Sequence, residues 1–150
     1  LVHVSAVATP FDGYFQKERY IYEKESGTRD GTPLSLMRVR SLIVAPNDGA
    51  VVSSGPVEVS GIAWSGFGAI KRVQVSADVG KAWTQATLEP RKSDYDATLW
   101  RLTWAPPASG HYTLVARATD SAGHTQPVDP VYNLHGYGNN IAYRIHVTVK

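Results

Sequence analysis

Cysteine is absent from the 150 residues, which excludes disulfides, thiolate-bound metals, iron–sulfur clusters and a cysteine nucleophile together. The same absence is silent about compartment, because a cysteine-free domain folds equally well in reducing and oxidising surroundings. Charge is sparse as well. Asp, Glu, Lys and Arg make up 19% of the chain, and 15 basic against 13 acidic residues leave a net +2. With so small a surplus and no extended basic run, nucleic acid is not an expected partner. No apolar stretch nears the roughly 20 residues needed to cross a bilayer, so no membrane partner is expected either. The start, Leu1-Val2-His3-Val4, lacks the charged-then-apolar order of a signal peptide and carries no initiator Met. The chain therefore reads as a processed product or a segment of something longer. What is present, 43% hydrophobic and 10% aromatic residues, suits a folded domain with a real core and not a disordered tail.

Two textures divide the chain. Residues 1–38 show little alternation; they hold Phe11, Tyr14, Phe15, Tyr20 and Tyr22, then a charged stretch from Glu23 to Gly31 that reads as an exposed loop. From Val39 onward short strands are predicted at Ser41–Ala45, Val57–Ala63, Ile70–Ala77, Trp83–Leu88, Leu99–Trp104, Tyr112–Ala118 and Ile141–Val149. Alternation is clearest in Val57-Glu58-Val59-Ser60 and in Arg144-Ile145-His146-Val147-Thr148-Val149, as half-buried antiparallel strands require. Turns such as Pro46-Asn47-Asp48-Gly49 and Asp120-Ser121-Ala122-Gly123 punctuate them. No amphipathic helix is predicted. The expected class is all-β, an immunoglobulin-like two-sheet sandwich over 39–150 preceded by an irregular arm over 1–38.

Chemistry-bearing patterns are few. The histidines His3, His111, His124, His135 and His146 include no pair two or four apart, so no strand or helix face presents two imidazoles to a metal. Ser65 sits among glycines in Trp64-Ser65-Gly66-Phe67-Gly68. A nucleophile elbow needs a helix to follow, and Ile70-Lys71-Arg72-Val73 reads as a strand instead. Ser76-Ala77-Asp78-Val79-Gly80-Lys81-Ala82-Trp83 fits the Ser-x-Asp-x-Gly-x-x-Trp hairpin known as the Asp box. Propellers repeat that box in each blade; a single copy is a structural turn. The tryptophans Trp64, Trp83, Trp100 and Trp104 offer either a sugar-stacking platform or core packing, with core positions expected for Trp83 and for at least one of Trp100 and Trp104.

Several blocks, in order, resemble the dimerisation domain of sulfite-oxidase-type molybdenum-cofactor oxidoreductases. They are Ser41-Leu42-Ile43-Val44-Ala45-Pro46-Asn47-Asp48-Gly49, then Gly61-Ile62-Ala63-Trp64-Ser65-Gly66, then Arg72-Val73-Gln74-Val75-Ser76 running into the Asp box, where Val79 replaces a glycine of the pattern. Trp100-Arg101-Leu102, Ala116-Arg117-Ala118-Thr119-Asp120, Gln126-Pro127 and Tyr132-Asn133-Leu134-His135-Gly136 resemble later blocks. Upstream, Gly13 to Tyr20 is similar to the family's connection from cofactor domain to dimerisation domain.

The resemblance implies a homodimer-forming part of a molybdenum oxidoreductase, of sulfite oxidase, sulfite or sulfane dehydrogenase, or nitrate reductase type. Molybdopterin and its cysteine ligand would belong to an upstream domain of the same polypeptide, so this chain is expected to bind no cofactor, to hold no catalytic or metal-binding residue of its own and to be inactive alone. A redox partner such as a cytochrome and a periplasmic location are further expectations. Three residues would form a rim of the oxyanion pocket in the full enzyme. Tyr20 falls where the family has a tyrosine near molybdenum, and His135 falls where sulfite oxidases have an arginine; Arg144 is an alternative cation. An imidazole in place of a guanidinium predicts a weaker anion site. An extracellular immunoglobulin-like module binding carbohydrate or protein is the competing expectation, and a free-standing docking subunit is a third.

Overall fold

The computed structural model describes residues 1–25, 28–93 and 96–150, which form two compact units. The first comprises Leu1–Ser35 with Tyr132–Gly138, and the second Leu36–Val131 with Asn139–Lys150.

In the first unit a short π-helical turn, Phe15–Arg19, leads into β1 (Ile21–Glu25), which pairs antiparallel with β2 (Thr28–Pro33). A loop was the expectation over Glu23–Gly31; the described part of that stretch is a hairpin, with Ser26 and Gly27 outside the described residues. The expectation fails because ladder bonds between backbones need no apolar side chains. Ile21, a buried apolar anchor at 2% exposure, lies just before the stretch.

Among the described residues the second unit has nine strands: β3 (Arg40–Ala45), β4 (Ala50–Val52), β5 (Val57–Trp64), β6 (Ile70–Ser76), β7 (Thr84–Gln85), β8 (Thr87–Leu88), β9 (Thr98–Trp104), β10 (Gly110–Asp120) and β11 (Arg144–Val149). They build a four-stranded sheet, β3-β5-β9-β8, and a five-stranded one, β4-β11-β10-β6-β7. The predicted strand Trp83–Leu88 is two. Thr84–Gln85 pairs with β6, Thr87–Leu88 pairs with β9, and the chain changes sheets at buried Ala86. β4 has no counterpart in the expected set; it joins the edge by parallel pairing with β11, a partner almost a hundred positions away in sequence.

Alternation explains the core. Val59, Gly61 and Ala63 of β5 face inward with Thr98 and Trp100 of β9, and meet Val73 and Val75 of β6, Leu114 and Ala116 of β10, and Ile145 and Val147 of β11. Trp100, 1% exposed, is among the largest fully buried side chains. Its ring needs Gly61 as its cross-strand partner, since a Cβ there would run into the indole and the Leu42 carbonyl. Gln126 closes the seam between the sheets. Its Oε1 accepts from Ser41 N of β3 at 2.7 Å and from Ala118 N of β10 at 3.3 Å. Among the described residues no helix is long and apolar enough to cross a membrane.

Candidate functional site

The first unit gathers two of the residues expected at a pocket rim. The Tyr20 N–H caps the helical turn by donating to Phe15 O at 2.7 Å, and the Tyr20 carbonyl accepts from Leu34 N at 2.8 Å. The backbone is thus pinned while the phenol is left 49% exposed. Its ring stacks on Phe15 at 6.0 Å between centroids and leans on Tyr137 at 5.9 Å. Tyr137 in turn lies 5.6 Å from the ring of His135. Tyr20 and His135 therefore flank one aromatic side chain.

His135 reaches this place through the segment Asn133–Gly138. The Asn133 side chain accepts from Tyr137 N at 2.9 Å and donates to Tyr137 O at 2.7 Å, folding the segment into a tight loop. Leu134 N donates to the Glu23 carbonyl at 2.7 Å, tying the loop to β1. Gly138, at φ 60°, lies so close to Tyr22 that a Cβ would strike the phenol. His135 Nε2 lies 3.1 Å from Oε2 of Glu23, a buried carboxylate, so the ring is oriented with Nδ1 left over. Sequence reasoning missed Glu23, which it placed in a loop, and Tyr137. The available signal for Tyr137 was an aromatic bracketed by Gly136 and Gly138.

Arg144, the third expected rim residue, belongs to the second unit. Its Nη2 donates to Val128 O at 3.1 Å and approaches Asp129 at 4.0 Å.

Elsewhere in that unit Ser65, Asp120 and His124 come together, though in the wrong order for nucleophilic catalysis. Ser65 Oγ donates to Asp120 Oδ2 at 2.7 Å, and His124 Nδ1 meets the same oxygen at 3.2 Å. The carboxylate stands in the middle. In a Ser–His–Asp triad the serine has imidazole as its immediate base. Asp120 is a poor substitute: burial would raise its pKa, but hydrogen bonds from Ser65 and from the amide and ring of His124 override that and hold it below the usual carboxylate range. The cluster is a brace for the turn after β10, with Ala122 N and His124 N also donating to Oδ1.

The Asp box forms as the sequence predicts. Ser76 Oγ accepts from Gly80 N at 2.8 Å, and Asp78 accepts from Lys81 N and Ala82 N at 3.0 and 2.9 Å. Trp83 differs from expectation: it is half-buried and outside the core, its Nε1 donating to Gly80 O and its ring lying 3.9 Å beneath the Arg117 guanidinium. A turn that closes on its own tryptophan keeps that ring at the hairpin instead of sending it inward. Trp100 fills the core, while Trp104 packs against the core's edge with Tyr112 meeting it edge-on at 5.0 Å.

The donor set does not fit a molybdenum–pterin centre. There is no cysteine to supply a thiolate, and among the described residues no three His, Asp or Glu side chains converge on a metal position.

A two-sheet sandwich of mostly antiparallel strands with a single Asp-box hairpin defines the class of the second unit as an immunoglobulin-like domain. The Mo-co oxidoreductase dimerisation domain family matches residues 32–150. Mouse mitochondrial sulfite oxidase is 40% identical over 120 residues, which is 74% of this chain and 22% of that protein. Sulfite oxidase of Arabidopsis thaliana is 33% identical over 160 aligned positions, covering 95% of this chain and 41% of the plant protein. Among solved structures, sulfane dehydrogenase SoxCD of Paracoccus pantotrophus superposes with a TM-score of 0.72 at 28% identity, over 88% of this chain and 35% of that one. The chain belongs to the Mo-co oxidoreductase dimerisation domain family of sulfite-oxidase-type enzymes, and spans between about a fifth and two fifths of the length of these relatives.

Proposed function

We propose that this chain holds two copies of a molybdenum oxidoreductase together and lends the Tyr20–His135 cluster to the edge of an oxyanion pocket whose molybdopterin is held by an upstream domain. The observation that carries the pocket reading is that an exposed tyrosine, Tyr20, and a histidine already oriented by Glu23 flank the same aromatic ring, Tyr137. Molybdopterin, bound by that other domain, would supply the redox chemistry. The residues here would position an anion and hold a proton near it.

The histidine imposes a condition on that role. With Nε2 donating to Glu23, a neutral imidazole presents a lone pair at Nδ1, which repels an oxyanion; only the doubly protonated ring donates from Nδ1. A guanidinium donates without that condition. In the enzyme assembled with its cofactor domain, His135→Arg is expected to tighten sulfite-type anion binding. An unchanged affinity would remove His135 from the pocket. The dimer reading is tested separately by sedimentation equilibrium, which should find twice the 16.3 kDa chain mass. A species of chain mass alone at high micromolar concentration would overturn it.

A further inference from the structure

We infer that Arg72 and Arg117, neighbours on the outer face of the five-stranded sheet, form a clamp for a tetrahedral dianion of the sulfate or phosphate class.

The ladder sets the frame. Arg72 on β6 lies opposite Thr119 on β10, and Gln74 lies opposite Arg117. Residues opposite each other in a ladder, and residues two apart along a strand, share one face of the sheet. These four side chains therefore make a square, with the arginines on one diagonal and about 7 to 8 Å between their backbones. Long side chains reach across that span. Each guanidinium is anchored through the same atom: Arg72 Nε donates to Thr119 Oγ1 at 3.3 Å, and Arg117 Nε donates to Gln74 Oε1 at 3.2 Å. Thr119 Oγ1 is held in turn 3.0 Å from Thr125 Oγ1. Arg117 is fixed a second time by Trp83, whose ring centroid lies 3.9 Å from the guanidinium carbon. The Asp-box hairpin thus keeps its tryptophan at the surface, where it backs a cation. With Nε spent on neutral partners, the Nη ends of both forks remain.

Charge selects an anion as the occupant. Among the described residues neither guanidinium makes an ion pair or a further hydrogen bond. Burial first, and the charge of Arg72 second, hold the Arg117 pKa below that of an ordinary guanidinium. Two cations so placed repel one another unless an acid stands between them. The carboxylates of this side are committed elsewhere. Asp78 accepts from Ser76 Oγ and from the amides of Lys81 and Ala82, and Asp48 is engaged with His146.

The number of charges and oxygens narrows the class. A guanidinium fork matches carboxylate and phosphate oxygens two at a time. A single carboxylate brings one charge and two oxygens, enough for one fork. Sulfate, or phosphate near neutral pH, brings about two charges and an oxygen pair for each fork.

Titration of the chain by proton–nitrogen NMR, with ionic strength fixed by chloride, tests the clamp. Sodium sulfate and sodium phosphate should each move the Nε–H signals of Arg72 and Arg117 and the Trp83 indole N–H along one saturable curve. Acetate, with one charge in place of two, should bind at least about 10-fold more weakly. Arg72→Gln should weaken sulfate binding about 10-fold or more. Arg117→Lys keeps the charge but loses the fork and should also weaken it. Arg101→Gln on the other sheet, where the guanidinium faces Glu89 at 3.6 Å, should stay within about 2-fold of wild type. Circular dichroism checks that each variant is folded; should Arg117→Lys lose its fold with the Trp83 contact, Arg72→Gln decides alone. Phosphoserine separates two sources of the same chemistry. Tighter binding than inorganic phosphate assigns the clamp to a phosphoryl group carried on a larger molecule, and equal or weaker binding assigns it to the free anion. A wild type that shows no saturable response to either dianion, or that binds acetate as tightly as sulfate, overturns the clamp. So does sulfate binding that survives Arg72→Gln or falls equally with Arg101→Gln.

Discussion

The two sheets of the sandwich share one core and differ in what they turn outward. On the four-stranded sheet the strand β9 alternates Trp100 inward with Leu99 outward, so apolar residues lie on both sides. On the five-stranded sheet β11 alternates Val147 and Val149 inward with His146 and Thr148 outward. The second pattern is what a sheet facing water requires; the first is what a sheet covered on both faces requires. The difference teaches that the inner faces specify the fold while the outer faces carry separate, unequal tasks. Substitutions at adjacent positions of one strand should therefore behave as though they belonged to different problems.

The largest expected effect makes that comparison within β9. Trp100→Ala removes the biggest side chain of the core and should cost about 3 to 5 kcal/mol, read by chemical unfolding. Leu99→Ala, one residue away, should change stability by no more than about 0.5 kcal/mol. Equal losses at both positions would mean that folding depends on the outer face as heavily as on the inner one. Next comes the seam between the sheets. Gln126→Leu leaves the buried N–H of Ser41 without its 2.7 Å partner and releases Ala118 N as well, an expected loss of roughly 2 to 3 kcal/mol. Little change would mean the sheets are held by apolar contact alone.

The sequence made the sandwich legible where alternation was strict. β5, β6, β9 and β10 lie within a few residues of their predicted bounds, and the Asp-box hairpin forms where the motif placed it. It was silent where partners are distant. β4 is three residues long and exists because β11 lies beside it. The switch of sheets at Ala86 leaves no mark in hydropathy, because Thr84–Gln85 and Thr87–Leu88 read as one strand whichever sheet receives them. At the candidate site Tyr20 and His135 could be singled out only by resemblance. Their companion Glu23 was invisible, since a buried carboxylate declares itself only once the 132–138 segment meets β1, and Tyr137 had only its flanking glycines to mark it.

On the polar sheet, the brace after β10 gives a pH test. Asp120 is more acidic folded than unfolded. Its contribution is therefore complete above the unfolded value of about 4 and is lost as the pH falls through the lower folded value. Asp120→Asn should lower stability by about 1 to 2 kcal/mol at neutral pH, and the gap from wild type should close in acid. A gap of constant size from pH 7 to pH 3 would show that the geometry of the turn, and not the charge, matters there.

The smallest expected effect lies at the edge of that same sheet, in the hairpin between β6 and β7. Val79 is held at φ 63°, the left-handed region, where a β-branched side chain meets its own backbone. The surrounding bonds impose this conformation: Ser76 and Asp78 hold the amides of Gly80, Lys81 and Ala82, so the turn cannot open to relieve one residue. Strain of this kind runs to about 1 to 3 kcal/mol. Val79→Gly removes it but gives back part of the gain as unfolded-state entropy, about 0.5 to 1 kcal/mol. The net expectation is about 1 kcal/mol of added stability, a rise of roughly 2 to 4 °C in melting temperature for a chain of this size. Val79→Asn separates the two contributions, because asparagine tolerates the left-handed region without the entropy of glycine. If both variants melt at or below wild type, the exposed valine is holding the hairpin by contact, and the polar sheet has an apolar task of its own at its edge.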